Sequence, residues 1–320
     1  MTPTKPSASA KEQSEELDRL LLVPLDGSSI AEEALPVAAA IAHRTRARLH
    51  LATAIQQAPA LLASAEEPAV DAELEQALRD QAGEYLKSTA EALGTTHGLE
   101  VSYAVLDGPP ARALADHARA KRVRLMVMTT HGHTGLNRLW LGSVADRLLR
   151  WVKVPVLLLR PKDGSLQTEF RHTVVALDGL SEGERVLDPA IELGSLWPDS
   201  QFTLVQVVEP PVALITRMAM QPAKMRPHWR ELQENCARSY LERVATRLRQ
   251  RGLRVATQMI SARGVGDQIL GLAHAISADL IVVGTHGARG VERMLLGSVA
   301  DKVIRGASQA VLVVPTRREE

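Results

Sequence analysis

One arrangement occurs twice in this chain and limits its possible folds more than any other feature: an apolar strand, a glycine loop and the start of a helix. In the later copy, Ala278-Asp279-Leu280-Ile281-Val282-Val283 is a short β-branched run that reads as a buried strand and ends at Gly284-Thr285-His286-Gly287. Nine residues further on stands Gly297-Ser298, after which Val299, Ala300, Val303 and Ile304 recur at helical spacing. In the earlier copy the strand Arg124 to Met128 meets Thr129-Thr130-His131-Gly132, then nine residues, then Gly142-Ser143 and a helix from Val144. Over residues 129–150 against 284–305, 12 of 22 positions are identical, so the two stretches are copies of one unit.

Glycines let a backbone approach a ligand with no Cβ in the way. The free N–H groups of a helix start, with its dipole, favour an anion such as phosphate. A plainer role is open as well. Ser298 is a natural N-cap with Asp301 three residues on, and capping needs no ligand.

The rest of the chain repeats with the motif. Strands are predicted at Leu20 to Pro24, Leu49 to Ile55, Val101 to Leu106 and Val154 to Leu159. Helices are predicted around Ala34–Ala42, from about Asp71 to Leu93 after a loop over 56–70, and over Pro110–Ala120. After a polar linker the order restarts at His172. A helix carries Val186, Leu187, Ala190, Ile191 and Leu193, a strand runs Phe202 to Val208, and a loop over 209–227 leads to a helix ending near Arg251. Strands Val255 to Ile260 and Ala310 to Val314 follow. Asp26 and Asp178 are 152 residues apart, and Gly132 and Gly287 are 155 apart. Strand–helix alternation of this kind predicts an α/β chain of two doubly wound, five-stranded parallel-sheet, Rossmann-like domains in tandem. The expected bounds are a disordered tail over 1–19, a first domain over 20–161, a linker over 162–170 and a second domain over 171–316.

Composition narrows the function classes. A net charge of +1 and 3% aromatic residues supply neither a basic stripe nor a stacking platform, which argues against nucleic-acid binding. No apolar run is long enough to span a bilayer, and residues 1–18 lack the apolar core of a signal peptide, so a cytoplasmic protein without membrane contact is expected. Cys236, the single cysteine, fits a reducing compartment and reads at least as well as a small buried or half-buried hydrophobe as it does a reactive thiol.

In parallel sheets, ligands bind beyond the carboxyl ends of the strands. Asp26 and Asp178 end the first strand of each half, Ala54 and Val207 the second, and Met128 and Val283-Gly284 the fourth. A carboxylate there can accept a hydrogen bond from a base amino group or a ribose hydroxyl. The competing account is turn chemistry, because Asp-Gly is a turn pair by itself. His131, His133 and His286 have no ligand set around them, so neither a metal site nor a catalytic residue is assigned.

These residues resemble the universal stress proteins in their tandem two-domain, ATP-binding form. Gly284, Gly287, Gly297 and Ser298 match that family's pattern of glycine, two residues, glycine, nine residues, glycine and serine or threonine. The resemblance implies that Asp26 and Asp178 face adenine and that Ala54 and Val207 pack the base. Gly132, Gly142, Ser143, Gly287, Gly297 and Ser298 would contact ribose and phosphates, followed by the backbone of Val144 and Val299. Pro24, Met128, Val283, Gly284 and His286 complete the implied lining. The same resemblance implies ATP with Mg²⁺, domains paired through their last strands with a homodimer left open, and a regulatory role in stress responses. The alternatives are a slow Mg²⁺-dependent ATPase and an interaction protein with empty pockets. Two positions depart from the pattern. Thr129 stands where the first glycine belongs, which predicts weaker binding in the first domain if the loop needs positive φ or close approach, and Ala176 stands where the first half has Pro24.

Overall fold

A strand buried on both faces is apolar at almost every position, and three strands have that character: Leu20–Pro24, Leu125–Thr129 and Val156–Leu159 are buried throughout. The computed structural model describes residues 19–56, 68–130, 141–160, 167–209, 225–285 and 296–316. They fall into two units that meet in the chain near residue 168.

In the first unit the elements run β1 (Leu20–Pro24), α1 (Ser29–Glu32), α2 (Ala34–Thr45), β2 (Arg48–Ile55), α3 (Pro68–His97), β3 (Val101–Asp107), α4 (Pro110–Ala120), β4 (Leu125–Thr129), α5 (Ser143–Trp151) and β5 (Val156–Leu159). The strands lie in the order β3-β2-β1-β4-β5, every pair parallel. Leu22, Leu49, Leu51, Met126 and Leu157 are fully buried in the core, and each such side chain contributes about 1.5–3 kcal/mol relative to exposure. The helix expected after Asp26 is divided in two, α1 and α2. Helix α3 is longer than expected at both ends: Pro68 is suited to a first turn, and Gly98, at φ 62°, stops the helix after His97. Strand β5 begins at Val156 instead of Val154, since Pro155 has no N–H for the ladder and offers only its carbonyl, to Met126 N.

The second unit runs β6 (His172–Ala176), a 3₁₀ turn over Gly183–Val186, α6 (Leu187–Gly194), β7 (Gln201–Val208), α7 (Met225–Arg249), β8 (Arg254–Ser261), α8 (Val265–Ala275), β9 (Leu280–Gly284), α9 (Ser298–Gly306) and β10 (Ala310–Val314). Its strand order is β8-β7-β6-β9-β10, again parallel throughout. Strand β9 starts two residues later than expected, and Asp279 just before it fastens β6. Its Oδ2 accepts the N–H groups of Arg171 (2.8 Å) and His172 (2.9 Å), fastening the start of β6. Helix α8, between β8 and β9, was not assigned from the sequence. Cys236 lies exposed on α7, which corrects the reading of a buried or half-buried hydrophobe. Among the described residues no helix is long and apolar enough to cross a membrane.

One buried polar cluster stands out in the first unit. His50 on β2, 4% exposed, places Nε2 2.8 Å from Nε2 of His117 on α4 and Nδ1 2.7 Å from Ser102 Oγ on β3, with the two imidazoles stacked. Burial first, then the charges of His117 and Lys121, pulls His50 down to about 4, and burial followed by Lys121 lowers His117 as well. The unfolded chain therefore binds protons that the native state refuses between about pH 4 and 6.5. The native state keeps its full stability above pH 6.5 and loses it as pH falls toward 4, by roughly 1–3 kcal/mol from this group. Urea unfolding at pH 7, 5.5 and 4.5 should show that loss, and His50→Gln should flatten it; an unchanged slope in the variant would refute the assignment.

Candidate functional site

The chain leaves β1 on one side to form β2 and returns on the other side to form β4, and β6 stands in the same way between β7 and β9. In parallel sheets, ligands bind beyond the carboxyl ends where the order reverses. The ladder continues one residue past the strands there: Leu25 N donates to Ala52 O and Leu177 N to Val205 O. Pro24 is buried opposite Ala52, and half-buried Ala176 is opposite Val205. Ala54 and Val207, both half-buried, pair with Leu106 and Ile260, while Met128 and Val283 are buried in β4 and β9.

Helices α5 and α9 begin identically. Gly142 and Gly297 are the caps, at φ −54°, ψ 144° and φ −59°, ψ 144°, and as glycines they bring no side chain of their own to cap either helix start. Ser298 is thus the first residue inside the helix and not its N-cap, which corrects the capping expectation, and Ser143 holds the same place in α5. Asp301 does not reach back to the cap. It pairs with Arg305 at 2.8 Å, as Asp146 pairs with Arg150 at 3.1 Å. Gly297 N donates to Thr285 O at 2.8 Å, fastening the start of α9 to the end of β9. Ser143, Val144 and Ser298 are exposed and Val299 is half-buried. First-turn N–H groups left without a capping side chain form a partly positive surface suited to an oxyanion. Gly132, His286 and Gly287 lie outside the described residues.

Both aspartates are engaged in turns. Asp26 Oδ1 accepts Ser28 N (3.0 Å) and Ser28 Oγ (2.6 Å), and Asp178 Oδ1 accepts Leu180 N (3.0 Å). Gly27 and Gly179 follow them at φ 79° and 85°, a region that favours glycine. Turn chemistry therefore accounts for one oxygen of each carboxylate, and no hydrogen bond from a described residue engages the other. Asp26 is exposed and Asp178 half-buried. Four neighbours escaped the sequence reading: Glu32 and Tyr85 in the first unit, Glu184 and Tyr240 in the second. Tyr85 OH donates to Glu32 Oε1 at 2.8 Å. Burial raises both phenols, helped by Glu32 and Asp26 around Tyr85 and by Glu184 and Asp178 around Tyr240. The available signal was the repeat itself, since the glutamates are 152 residues apart, like the aspartates, and the tyrosines 155 apart, like the loop glycines.

Residues 19–160 and 169–315 each match the universal stress protein family. The chain belongs to that family. A universal stress protein of Mycolicibacterium smegmatis is 28% identical over 235 residues, 72% of this chain and 74% of its own length. One from Methanocaldococcus jannaschii is 30% identical over 146 residues, 46% of this chain and 84% of its own. Among solved structures, a universal stress protein from Archaeoglobus fulgidus superposes with a TM-score of 0.66 at 18% identity, over 94% of this chain and 97% of that one, which is a likeness of fold.

The family's glycine position is occupied differently in the two domains, and the reason is packing. Neither Thr129 nor Gly284 has positive φ, so the expectation that threonine strains the loop backbone falls. Thr129 Oγ1 donates to Ile30 O at 2.8 Å, so its hydroxyl is already spent on the protein. A Cβ at Gly284 would stand 2.6 Å from Thr316 Cγ2 and 3.4 Å from Val186 Cγ1. Ala34 occupies the first-domain position equivalent to Val186, at the same 152-residue spacing, and is smaller. Gly284→Thr should cost about 1–3 kcal/mol by overpacking, and Thr129→Gly about 1–2 kcal/mol through the lost hydrogen bond and the freer unfolded chain. Urea unfolding checks both; a neutral Gly284→Thr would show that space is not what requires glycine.

Proposed function

We propose that this universal stress protein is an ATP-binding regulatory protein of the stress response. In this reading each domain is a doubly wound, Rossmann-like unit with its nucleotide beyond the carboxyl ends of β1, β2 and β4, or of β6, β7 and β9. The observation that carries it is the pair of uncapped helix starts at Gly142-Ser143 and Gly297-Ser298, the second fastened to its strand end through Thr285. Phosphate oxygens would accept the first-turn N–H groups, which the glycine caps leave without a capping side chain of their own. The oxygen of Asp26 or Asp178 left over from the turn would accept a donor from the base or ribose. Among the described residues no three acidic, histidine or cysteine side chains cluster to hold a metal, so Mg²⁺ would be bound chiefly through the phosphates. The second domain carries the complete glycine pattern and is assigned the nucleotide first.

Regulation is placed ahead of turnover because positioning groups are what these strand ends supply. Neither glycine loop of this chain is followed by a Walker lysine to neutralise a transferring phosphoryl group, since serine follows directly at Gly142-Ser143 and Gly297-Ser298. Calorimetric titration of nucleotide-free protein with MgATP should show saturable heat. Asp178→Ala should weaken second-domain binding by about 1–3 kcal/mol, the value of a hydrogen bond to a charged group. Absence of heat from folded, nucleotide-free protein would refute the nucleotide, and an unchanged affinity in Asp178→Ala would leave that carboxylate to its turn.

A further inference from the structure

The two domains hold their strand-end aspartates in different ways, and the difference runs through residues with no place in the glycine motif. In the first domain two sets of hydrogen bonds, joined through the Ala31-Glu32 backbone, link Asp26 to the long helix α3. Asp26 Oδ1 takes Ser28 N and Oγ, Ser28 Oγ caps α1 by accepting Ala31 N at 3.2 Å, and Glu32, at the end of α1, takes the Tyr85 hydroxyl at 2.8 Å. In the second domain the corresponding glutamate, Glu184, is bound by Arg247. The Tyr240 hydroxyl is buried beside it without a hydrogen-bond partner among the described residues. Arg247 stands where the first domain has Ala92, at the 155-residue spacing of the two tyrosines. The carboxylate of Asp178 has moved accordingly: a Cβ at Gly183 would stand 2.2 Å from its Oδ1, and the equivalent first-domain residue is Ala31. Asp178 thus occupies space that a methyl group at that place would need.

We propose that Tyr85 is a positioning residue that holds the Asp26 carboxylate in place through Glu32 and the Ser28-capped α1, and that Arg247 disables the same link in the second domain by taking Glu184 from Tyr240. The proposal rests on the nucleotide reading for what Asp26 meets, but the order of the loop can be read without any ligand. The link runs through a four-residue helix, too short to be stable without tertiary contacts. Removing the phenolic hydroxyl therefore loosens the Glu32 end of α1, with the Thr129 hydrogen bond to Ile30 O still in place, while the tyrosine ring keeps its packing.

The test uses the full chain with Tyr85→Phe and Tyr240→Phe. In nucleotide-free protein, amide exchange at Ser28 and Ala31 should rise about tenfold in Tyr85→Phe, the expected effect of losing about 1.4 kcal/mol of local order. Tyr240→Phe should leave the loop after β6 unchanged, and Arg247→Ala should slow exchange there by freeing Glu184 for Tyr240. MgATP binding to the first domain should weaken several-fold in Tyr85→Phe, with no further loss when Asp26→Asn is already present. Unchanged exchange at Ser28 and Ala31, or an equal loss of affinity with and without Asp26→Asn, overturns the proposal. If wild-type protein binds no MgATP, the nucleotide reading falls by itself and the exchange measurements still decide the role of Tyr85.

Discussion

Parallel pairing is the constraint on which the rest of each domain depends. Two parallel neighbours cannot be joined by a tight turn, so the chain must cross back over the sheet after every strand. All strand-to-helix connections are thereby collected at one edge. In each domain the first strand is central, between the second and the fourth, so three strand ends lie side by side: the Asp-Gly turn after the first, the end of the second and the end of the fourth. The pocket is a consequence of winding order, and its chemistry is whatever residues the three ends carry.

The repeat is kept more faithfully in backbone geometry than in side chains. Gly27 and Gly179 adopt φ 79° and 85°, and Arg122 and Ser277, each following the last-but-one helix of its domain, adopt φ 52° and 50°. The second pair shares no chemistry, yet both residues accept the left-handed conformation, because the turn into the next strand requires it. Thr129 and Gly284 share neither side chain nor surroundings. One donates to the Ile30 carbonyl, and the other leaves room for Thr316. Side chains at the pocket rim have diverged in matched sets, where a change at one place is compatible only with a change at its neighbour.

Buried polar groups mark where each domain departs from a generic apolar sheet. Asp279 spends its carboxylate on two backbone N–H groups that would otherwise lack partners at the start of β6. His50 and His117 are tolerated inside the first domain because each imidazole is neutral and the pair, with Ser102, satisfies its inner nitrogens. Their counterpart in the second domain is a single hydrogen bond between His172 Nε2 and Thr203 Oγ1 at 2.9 Å.

The architecture was legible in the amino-acid order because it follows from periodicity. Apolar runs of strand length, helical spacing between them and the 152- to 155-residue repeat determine an alternating α/β chain in two copies, and Pro110 alone marks the start of α4. The strand-end placement of Asp26, Asp178, Ala54 and Val207 follows from the same reasoning. Tertiary structure alone decided how those ends are used. Ser298 stands inside its helix and not at the cap, Asp301 turns to Arg305, glycine at 284 answers to Thr316, Tyr85 on α3 reaches Glu32, and Glu184 turns to Arg247. The physical reason is that a periodic pattern reports which face of an element is buried, whereas a hydrogen bond or a close contact depends on a partner tens of residues away. Tyr85 and Glu32 are 53 residues apart, and only the crossover of α3 brings them together.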